Sequence, residues 1–267
     1  NDAGVREGDE ISMFYDPMIS KLSTWGPTRL EAIDAMGRAL EDFHIEGLGQ
    51  NIPFLAAVMD QERFRSGVLS TNYIKDEFPD GFKGTEPDAF QRDLMAAVGC
   101  AMHRIQLTRN APQLVRRDWV VVGAGERRQV RLTDGGGAMT VEFTGEGRKL
   151  NLTDVVWRPG LATFRGALNG RNFTAEVKPA AEGFIIRHRA AKAHVLVLTE
   201  RSAELHEKLP PKQAADTSKM ILSPMPGLVV SLDVAVGQEV TSGQQVAIIE
   251  AMKMQNIIRA EHDGVVK

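Results

Sequence analysis

Cysteine is almost missing from this sequence, in which Cys100 stands alone among 267 residues. A single cysteine excludes an internal disulfide framework and favours a reducing compartment. Cys100 lies among apolar residues of a predicted helix, which indicates a packing role. No apolar run approaches the roughly 20 residues that a membrane-spanning helix needs, so no membrane association is expected. No charged-then-apolar signal segment opens the chain, and its first residues, NDAGVREGDE, are typical of the middle of a domain.

Excess charge of one sign is also missing. The formal net charge is -3, with 25% charged and 43% hydrophobic residues. This composition is typical of a globular protein, and it argues against a nucleic-acid partner and against wholesale disorder. The six histidines form no close pair with metal-ligand spacing, and His188 and His194 are predicted to face solvent on neighbouring strands.

Phosphate-cradling loops are not indicated either. The glycine-rich stretches GAGERR (123–128) and GEGRK (145–149) fall between predicted strands. A phosphate-binding glycine loop would instead lead into a helix. Both stretches, and the Gly135-Gly136-Gly137 run, are therefore interpreted as hairpin turns.

Residues 1–84 have a mixed α/β pattern. Gly26-Pro27 predicts a helix start with proline in the first turn, followed by apolar residues at helical spacing as far as Phe43. A second helix is predicted over Pro53–Met59. The turn sequence PDGFKG (79–84) indicates a domain boundary.

Residues 85–205 change character. A helix with one apolar face is predicted over Asp88–Thr108. The Asn169-Gly170 pair is a strong signal for a two-residue hairpin turn. Short strands with hairpin turns predict an antiparallel sheet that is curled or closed, with the helix beside or inside it. The predicted strands are Asp118–Val122, Arg128–Leu132, Met139–Phe143, Leu150–Trp157, Leu161–Leu168, Phe173–Val177, Phe184–His188 and His194–Thr199.

Residues 206–218, HEKLPPKQAADTS, are polar and rich in proline, which predicts a flexible linker. Such a linker would reach roughly 40 Å fully extended and about 20 Å on average. Residues 219–267 are predicted to be β structure. Alternating apolar residues from Leu228 to Val236 indicate a half-buried strand, and a second strand ends near Ala251.

The stretch IEAMKMQN (249–256) joins that second strand to a third one that resumes at Ile257. Lys253 is therefore predicted at a hairpin turn, projecting away from the sheet between Met252 and Met254. From the residues alone, two functions stay open. Lys253 could be an ordinary solvated turn residue beside two gap-filling methionines. It could also be a modification site, because a lysine at a protruding tip is open to an acylating enzyme.

The motif EAMKMQN, with SPMPGLVV (223–230) and VGQEVTSGQQVAIIE before it, resembles the biotinyl carrier domain of biotin-dependent carboxylases. The resemblance implies that biotin is attached to Lys253 by a biotin protein ligase, with Met252 and Met254 as part of the biotinylation motif. Lipoyl carriers of dehydrogenase complexes share the fold, but their lysine typically stands beside aspartate and alanine.

A second resemblance covers the start of the chain. GDEISMFYDPMISKLSTWGPTRLEAIDAMGRAL, GLGQNIPFL and STNYI are similar to the C-terminal end of a biotin carboxylase domain, although the family usually has threonine where this chain has Gln50. The resemblance implies that ATP, bicarbonate and Mg²⁺ or Mn²⁺ act at a core upstream of Asn1. It also implies that further carrier strands follow Lys267, so the chain is expected to be part of a longer subunit.

The middle region decides the architecture of the carboxylase. A (β/α)₈ carboxyltransferase barrel needs about 250 residues and does not fit between the two resembling regions. Residues 85–205 instead resemble the domain by which acyl-CoA carboxylase α subunits dock a separate carboxyltransferase β subunit. The stretches YIKDEFPDGFKG (73–84) and LTERSAELHEKLPP (198–211) are most similar to family members that act on propionyl-CoA.

The expected fold class is therefore multidomain α+β. It combines the end of a biotin carboxylase (ATP-grasp) domain over 1–84 and a helix with an antiparallel β-barrel over 85–205. A linker over 206–218 and an all-β biotinyl carrier domain of the flattened-barrel type over 219–267 follow.

The expected function is that of the α subunit of a carbon–carbon bond-forming ligase. Biotin on Lys253 would be carboxylated with ATP and bicarbonate, and the carboxyl group would pass to propionyl-CoA on the β subunit, giving methylmalonyl-CoA. Methylcrotonyl-CoA and acetyl-CoA are the alternative acceptors. A stand-alone scaffold and a lipoyl carrier are the alternatives of another class. The expected location is the bacterial cytoplasm, or the mitochondrial matrix for a eukaryotic protein.

Overall fold

A computed structural model describes residues 1–11, 18–47, 49–110, 116–210, 220–222, 228–251 and 254–267. The chain forms two compact units. One contains residues 24–209, and the other is formed by residues 1–23 and 210–267. Within the described ranges, no helix combines the length and the apolar character that crossing a membrane requires.

The larger unit contains all six helices of the described residues. The two longer helices predicted from periodicity and the helix near Pro53 are present, whereas three helices of five to seven residues were not predicted because they are too short to show a period. The helices are α1 Arg29–Asp42, α2 Ile52–Asp60, α3 Glu62–Ser66, α4 Tyr73–Glu77, α5 Ala89–Asn110 and α6 Glu200–His206.

Helix α1 begins at a capping box. The Thr28 hydroxyl accepts a hydrogen bond from the Glu31 backbone N–H at 3.3 Å, and the Glu31 carboxylate accepts one from the Thr28 N–H at 3.0 Å. The pair satisfies two backbone donors that a helix start leaves free. Pro27 therefore precedes the cap, and the prediction that proline occupies the first turn was wrong by two positions.

Eight antiparallel strands form a closed barrel, as the hairpin pattern predicted. The first strand pairs with the last, Val121 opposite Val197, which leaves the barrel without an open edge. Asn169 and Gly170 have φ angles of 50° and 81° at the β7–β8 turn, which confirms the predicted two-residue turn. The strands are β3 Asp118–Gly123, β4 Glu126–Gly135, β5 Ala138–Phe143, β6 Arg148–Val156, β7 Thr163–Leu168, β8 Arg171–Pro179, β9 Phe184–His188 and β10 Ala191–Leu198.

Helix α5 lies inside the barrel. Its middle residues are buried around the whole circumference, and it contacts strands on several sides, namely β3, β5, β6, β9 and β10. The prediction of a single apolar face was too narrow, because a helix that is apolar all round belongs in a core. The fully buried side chains of α5 are Leu94, Met95, Ala97, Val98, Cys100 and Met102.

Two residues of α5 show how tightly the barrel encloses it. Cys100 is fully buried, and burial raises the pKa of its thiol to about 12, which keeps the thiol protonated and confirms the packing role. At Gly99, a Cβ atom would lie 2.7 Å from Cγ1 of Val195 on β10. The helix can approach this strand only because position 99 has no side chain.

His188 corrects one expectation about the barrel surface. His188 and His194 lie on the neighbouring strands β9 and β10, but only His194 is exposed, and His188 is 3% exposed. Phe184, Ile186 and His188 share one face of β9 because side chains alternate along a strand. That face is buried, so the alternation places His188 inside.

Helix α1 packs on the outside of the barrel through its C-terminal end. The Thr174 hydroxyl of β8 donates a 2.6 Å hydrogen bond to Asp42, and Nε of Arg189 donates a 2.6 Å bond to the Glu41 carboxylate. Burial alone would raise the pKa of Glu41, but the neighbouring His188 and Arg189 side chains outweigh burial and hold the pKa below its ordinary value.

The smaller unit is all β in its described residues. Strands β1 (Asp2–Ala3) and β2 (Ser20–Lys21) form one antiparallel pair. The C-terminal part contains a three-stranded sheet in the order β11-β13-β14 and a two-stranded sheet, β12-β15. These strands are β11 Leu228–Leu232, β12 Glu239–Val240, β13 Gln245–Ala251, β14 Met254–Arg259 and β15 Gly264–Val265.

Strand β11 differs from its prediction. Regular pairing ends at Leu232 rather than continuing to Val236, and the strand is mostly exposed rather than half-buried. A β-bulge between Val229 and Ser231 disturbs the alternation. Among the described residues, the apolar cluster of this unit forms around Val240, Val246 and Ala260, away from β11.

We expect Gly99→Ala to destabilise the larger unit. Overpacking a filled core costs about 1–3 kcal/mol and alanine gains ~1 kcal/mol over glycine in a helix, so the free energy of unfolding should fall by up to about 2 kcal/mol. Gly135→Ala is the control, because no atom lies within 4 Å of its Cβ position. Urea denaturation measures both variants, and a more stable Gly99→Ala protein would contradict the enclosed helix.

We expect Glu41 to link stability to pH. A carboxylate with a lowered folded pKa stabilises the fold above its ordinary pKa of 4.5, and this stabilisation disappears as the pH falls through the lower folded value. The stability difference between wild type and Glu41→Gln should therefore be large at pH 7 and shrink at pH 3, as measured by urea midpoints. An equal difference at both pH values would show that the Glu41 charge contributes nothing.

Candidate functional site

The predicted carrier hairpin is built from β13 and β14. The strands pair antiparallel with Ile249 opposite Asn256, Glu250 opposite Gln255 and Ala251 opposite Met254. The ladder thus continues to the last residue before the connection and the first residue after it. Lys253 and Met252, which form that connection, lie outside the described residues. Met254 opens β14, and its side chain also falls outside the description.

Strand β13 holds the hairpin in the domain because it is the central strand of its sheet. It pairs with β11 on one side and β14 on the other. A bulge between Gln245 and Ala247 changes which residues point inward. Val246 and Ile249 are both buried, although strict alternation predicted Val246 on the face of Ile248. The sequence gives no signal for this bulge.

Two matching turns fix the base of the hairpin. In the first, the Gln238 side chain accepts a 3.0 Å hydrogen bond from the Ala235 N–H. In the second, the Gln244 side chain accepts a 3.0 Å bond from the Thr241 N–H. Each turn contains a glycine of positive φ directly before the glutamine, Gly237 at 89° and Gly243 at 83°. The repeated Gly-Gln pair in the sequence is the signal that could have predicted both turns.

The same turns tie distant parts of the domain together. The Gly243 N–H donates to the Ala260 carbonyl, and the Ala260 N–H donates to the Gln244 carbonyl, both at 2.8 Å. The Gly237 N–H donates to the Val266 carbonyl in an equivalent bond of 2.8 Å. These backbone hydrogen bonds hold the base of β13 and β14 in register.

The described strands of this hairpin can present the connection between them. Glu250 and Gln255 are a cross-strand pair close to the connection, and Gln255 is exposed. Among the side chains that the structure describes, no group of three or more His, Cys, Asp or Glu residues could hold a metal ion. The described hairpin thus offers a frame for the 252–253 connection.

Gln50 is the position at which the N-terminal region departs from the family that it resembles. Its side-chain oxygen accepts a 2.6 Å hydrogen bond from the Ile52 N–H, at the first residue of α2. Glutamine thus satisfies one of the backbone donors at the start of α2, where the resembling family usually has threonine.

Three family models match the chain in succession. The biotin carboxylase C-terminal domain matches residues 1–76, and the propionyl-coenzyme A carboxylase BT domain matches residues 95–212. The model described as biotin-requiring enzyme matches residues 219–267. The expected fold class is confirmed, with the eight-stranded barrel lying in the BT match. The predicted domain boundaries at 84, 205 and 218 stay predictions.

Curated relatives agree with the domain matches. A propionyl-CoA carboxylase alpha chain of Ruegeria pomeroyi is 45% identical over 100% of this chain and 40% of its own length. The mitochondrial propionyl-CoA carboxylase alpha chain of Mus musculus is 34% identical over 100% of this chain and 38% of its own length. A mitochondrial methylcrotonoyl-CoA carboxylase subunit alpha of Dictyostelium discoideum is 26% identical, again over 100% of this chain and 40% of its own length.

The chain spans less than half the length of these relatives, 40% in the case of the Ruegeria protein. Identity is higher to the propionyl-CoA carboxylase chains than to the methylcrotonoyl-CoA carboxylase subunit, 45% and 34% against 26%. The three domain matches follow one another along the chain, and over its whole length the chain is similar to biotin-dependent acyl-CoA carboxylase alpha chains, with the greater similarity to the propionyl-CoA carboxylase branch.

Proposed function

We propose that the chain acts in a biotin-dependent propionyl-CoA carboxylase, with biotin attached to Lys253. The observation that carries this proposal is the biotin-requiring domain match over 219–267, which contains the EAMKMQN sequence at the β13–β14 connection. When bound, biotin supplies a ring nitrogen that carries a carboxyl group between two active sites.

The hairpin supports the proposal geometrically. The ladder stays paired as far as Ala251 and Met254, so only two positions connect the strands. A connection this short leaves too little chain to fold back over the sheet, which favours access of a biotin protein ligase to Lys253. Met252 and Met254 are proposed to form the recognition motif beside it.

The remaining parts of the carboxylase are proposed from the family. ATP, bicarbonate and Mg²⁺ or Mn²⁺ would act at biotin carboxylase sequence that the relatives carry beyond the span of this chain. The acyl-CoA would bind on a carboxyltransferase β subunit. The predicted linker 206–218 begins inside the larger unit, because α6 includes His206 and that unit extends to residue 209, so residues 210–218 are proposed as the tether of the carrier. A flexible tether keeps the local concentration of carrier high at both sites.

Propionyl-CoA is proposed as the acceptor because the BT match and the most similar relatives named above are of that kind. Methylcrotonyl-CoA is the alternative, supported by the weaker similarity to the Dictyostelium protein. Carboxylation rates of the full-length complex with propionyl-, methylcrotonyl- and acetyl-CoA distinguish the acceptors. A preference for either of the other two would overturn the propionyl assignment.

The barrel is proposed to dock the β subunit through residues 85–205, and one segment is favoured as a contact. Among large apolar side chains of the barrel strands and their loops, Val156 and Leu161 are exposed, at 61% and 39%. Both lie where β6 passes to β7. The β6–β7 pairing is irregular between Thr153 and Val156, and Asp154 has a φ of 54°. Strand irregularities are over-represented beside functional sites, and two exposed apolar side chains at such a place can contribute to a contact.

We expect Lys253→Arg to remove biotin and carboxylation together. Arginine keeps the positive charge but has no amine that a ligase can acylate. A streptavidin blot of protein from the native host should lose its signal, and acyl-CoA carboxylation should stop. Recovery of the β subunit in a pull-down should be unchanged. A wild-type protein without streptavidin signal, or a biotinylated Lys253→Arg protein, would disprove Lys253 as the carrier residue.

We expect the pair Val156→Glu and Leu161→Glu to weaken β-subunit binding about tenfold or more, because two carboxylates would be desolvated at the contact. The measurement is a binding titration of the purified α chain against the β subunit. Lys178→Glu, which makes the same change of two charge units at an exposed position of β8, is the control and should bind normally. Equal loss in both variants would point to net charge, and no loss in either would exclude this segment as a docking surface.

A further inference from the structure

The C-terminal end of α1 breaks a local rule. It carries Glu41 and Asp42 and no basic residue in its last turn. Carboxylates are unfavourable there because the carbonyl end of a helix is partly negative. Neither side chain is simply solvated, since the side chain of Glu41 is 8% exposed and Asp42 accepts the hydrogen bond from Thr174.

The turn between β9 and β10 breaks another local rule. Arg189 has a φ of 55°, in the left-handed region where glycine and asparagine are favoured and a long side chain is rare. The neighbouring pair Ala191 opposite His188 closes a hairpin of two residues around it. Strain of this kind persists where the surrounding structure fixes it, and it often marks a functional contact.

One interaction accounts for both features. The Arg189 guanidinium donates to Glu41 of α1 through Nε at 2.6 Å and to Asp60 at the end of α2 through Nη1. Nε2 of His188 lies 3.7 Å from the same Glu41 carboxylate. At Gly37, a Cβ atom would lie 3.2 Å from the guanidinium, so the helix surface leaves room for the arginine. We call Glu41, Asp60 and Arg189 the Arg189 joint.

The Arg189 joint connects residues that match two different family models. Glu41 and Asp60 fall in the biotin carboxylase match at 1–76, and Arg189 falls in the BT match at 95–212. All three belong to the compact unit of residues 24–209. A single side chain with two carboxylate partners on different helices fixes an orientation better than one ion pair, because the planar guanidinium constrains both bonds.

We propose that Arg189 is a positioning residue, which holds the carboxylase-derived helices α1 and α2 on the barrel so that residues 24–209 act as one rigid body. The consequence for carboxyl transport rests on the proposed function. When the barrel binds the β subunit, it then also fixes the orientation of the biotin carboxylase domain to which α1 and α2 belong. The carboxylase site and the carboxyltransferase site that the carrier visits therefore keep a constant separation.

The first test uses Arg189→Asn in the chain of residues 1–267. Asparagine accepts a positive φ, so the hairpin is preserved while the guanidinium is lost. Hydrogen exchange of the amides in Arg29–Asp42 should become about tenfold faster or more. Without the guanidinium, local opening of α1 no longer has to break the contacts of the Arg189 joint and therefore costs less free energy. Amides of β9 and β10 should exchange at the wild-type rate. Unchanged exchange in α1 would overturn the joint.

The matched control is Arg187→Asn on β9, two residues before Arg189. Arg187 pairs with Glu176 of the neighbouring strand β8 at 3.1 Å, and its described ion pair and hydrogen bond involve neither Glu41 nor Asp60. It should leave exchange in α1 unaltered. Arg189→Lys, which keeps the charge but not the forked geometry, should restore part of the protection. If Arg187→Asn accelerates α1 as much as Arg189→Asn does, the effect is general loosening and the proposal fails.

The second test uses the full-length α chain with its β subunit. It separates the positioning role of Arg189 from an effect on the carboxylation reaction itself. ATP-dependent carboxylation of free biotin reports the carboxylase site alone and should be unchanged in Arg189→Asn. Acyl-CoA carboxylation through the tethered carrier should fall severalfold. Normal overall carboxylation despite fast α1 exchange would overturn the positioning role. A wild-type complex without any carboxylation would refute the proposed function, and the exchange experiment would still decide the joint by itself.

Discussion

The enclosure of α5 by the closed barrel is the constraint on which the larger unit depends. A helix buried on every side needs small residues where it approaches a strand closely, as Gly99 does against Val195. Barrel closure between β3 and β10 completes the cover. The outer elements attach to this frame: α1 reaches β8 and the β9–β10 turn, and α6 contacts β3 and β10.

The two units are stabilised in different ways. The barrel and α5 share one large apolar cluster, whereas the apolar cluster of the carrier region centres on Val240, Val246 and Ala260. The carrier region relies more on backbone hydrogen bonds at the Gly237 and Gly243 turns. Such bonds hold the strand register without a thick core.

Much of the architecture could be predicted from the sequence because its signals are local. Strand patterns located all eight barrel strands, and Asn169-Gly170 located a hairpin, since a positive φ at two successive positions leaves few alternatives. The carrier hairpin followed from strand patterns on both sides of Met252 and Lys253.

What could not be predicted depends on partners that are distant in sequence. The contact of His188 with Glu41 of α1 is one example, although strand alternation alone already places His188 on the buried face of β9. Arg189 appears in the sequence as an ordinary hairpin arginine, and only the folded chain brings Asp60 to it across more than a hundred residues. The bulge at Val246 likewise has no sequence signal.

The closure of the barrel by its first and last strands also has a consequence for synthesis of the protein. Helix α5 precedes all eight strands in the chain, yet its apolar circumference has no complete cover until β10 pairs with β3. From the time α5 leaves the ribosome until Leu198 follows it, the helix exposes apolar surface on every side. Contacts of such long sequence separation form slowly, so the nascent chain passes through a period in which a chaperone, or collapse onto the first hairpins, must shield α5.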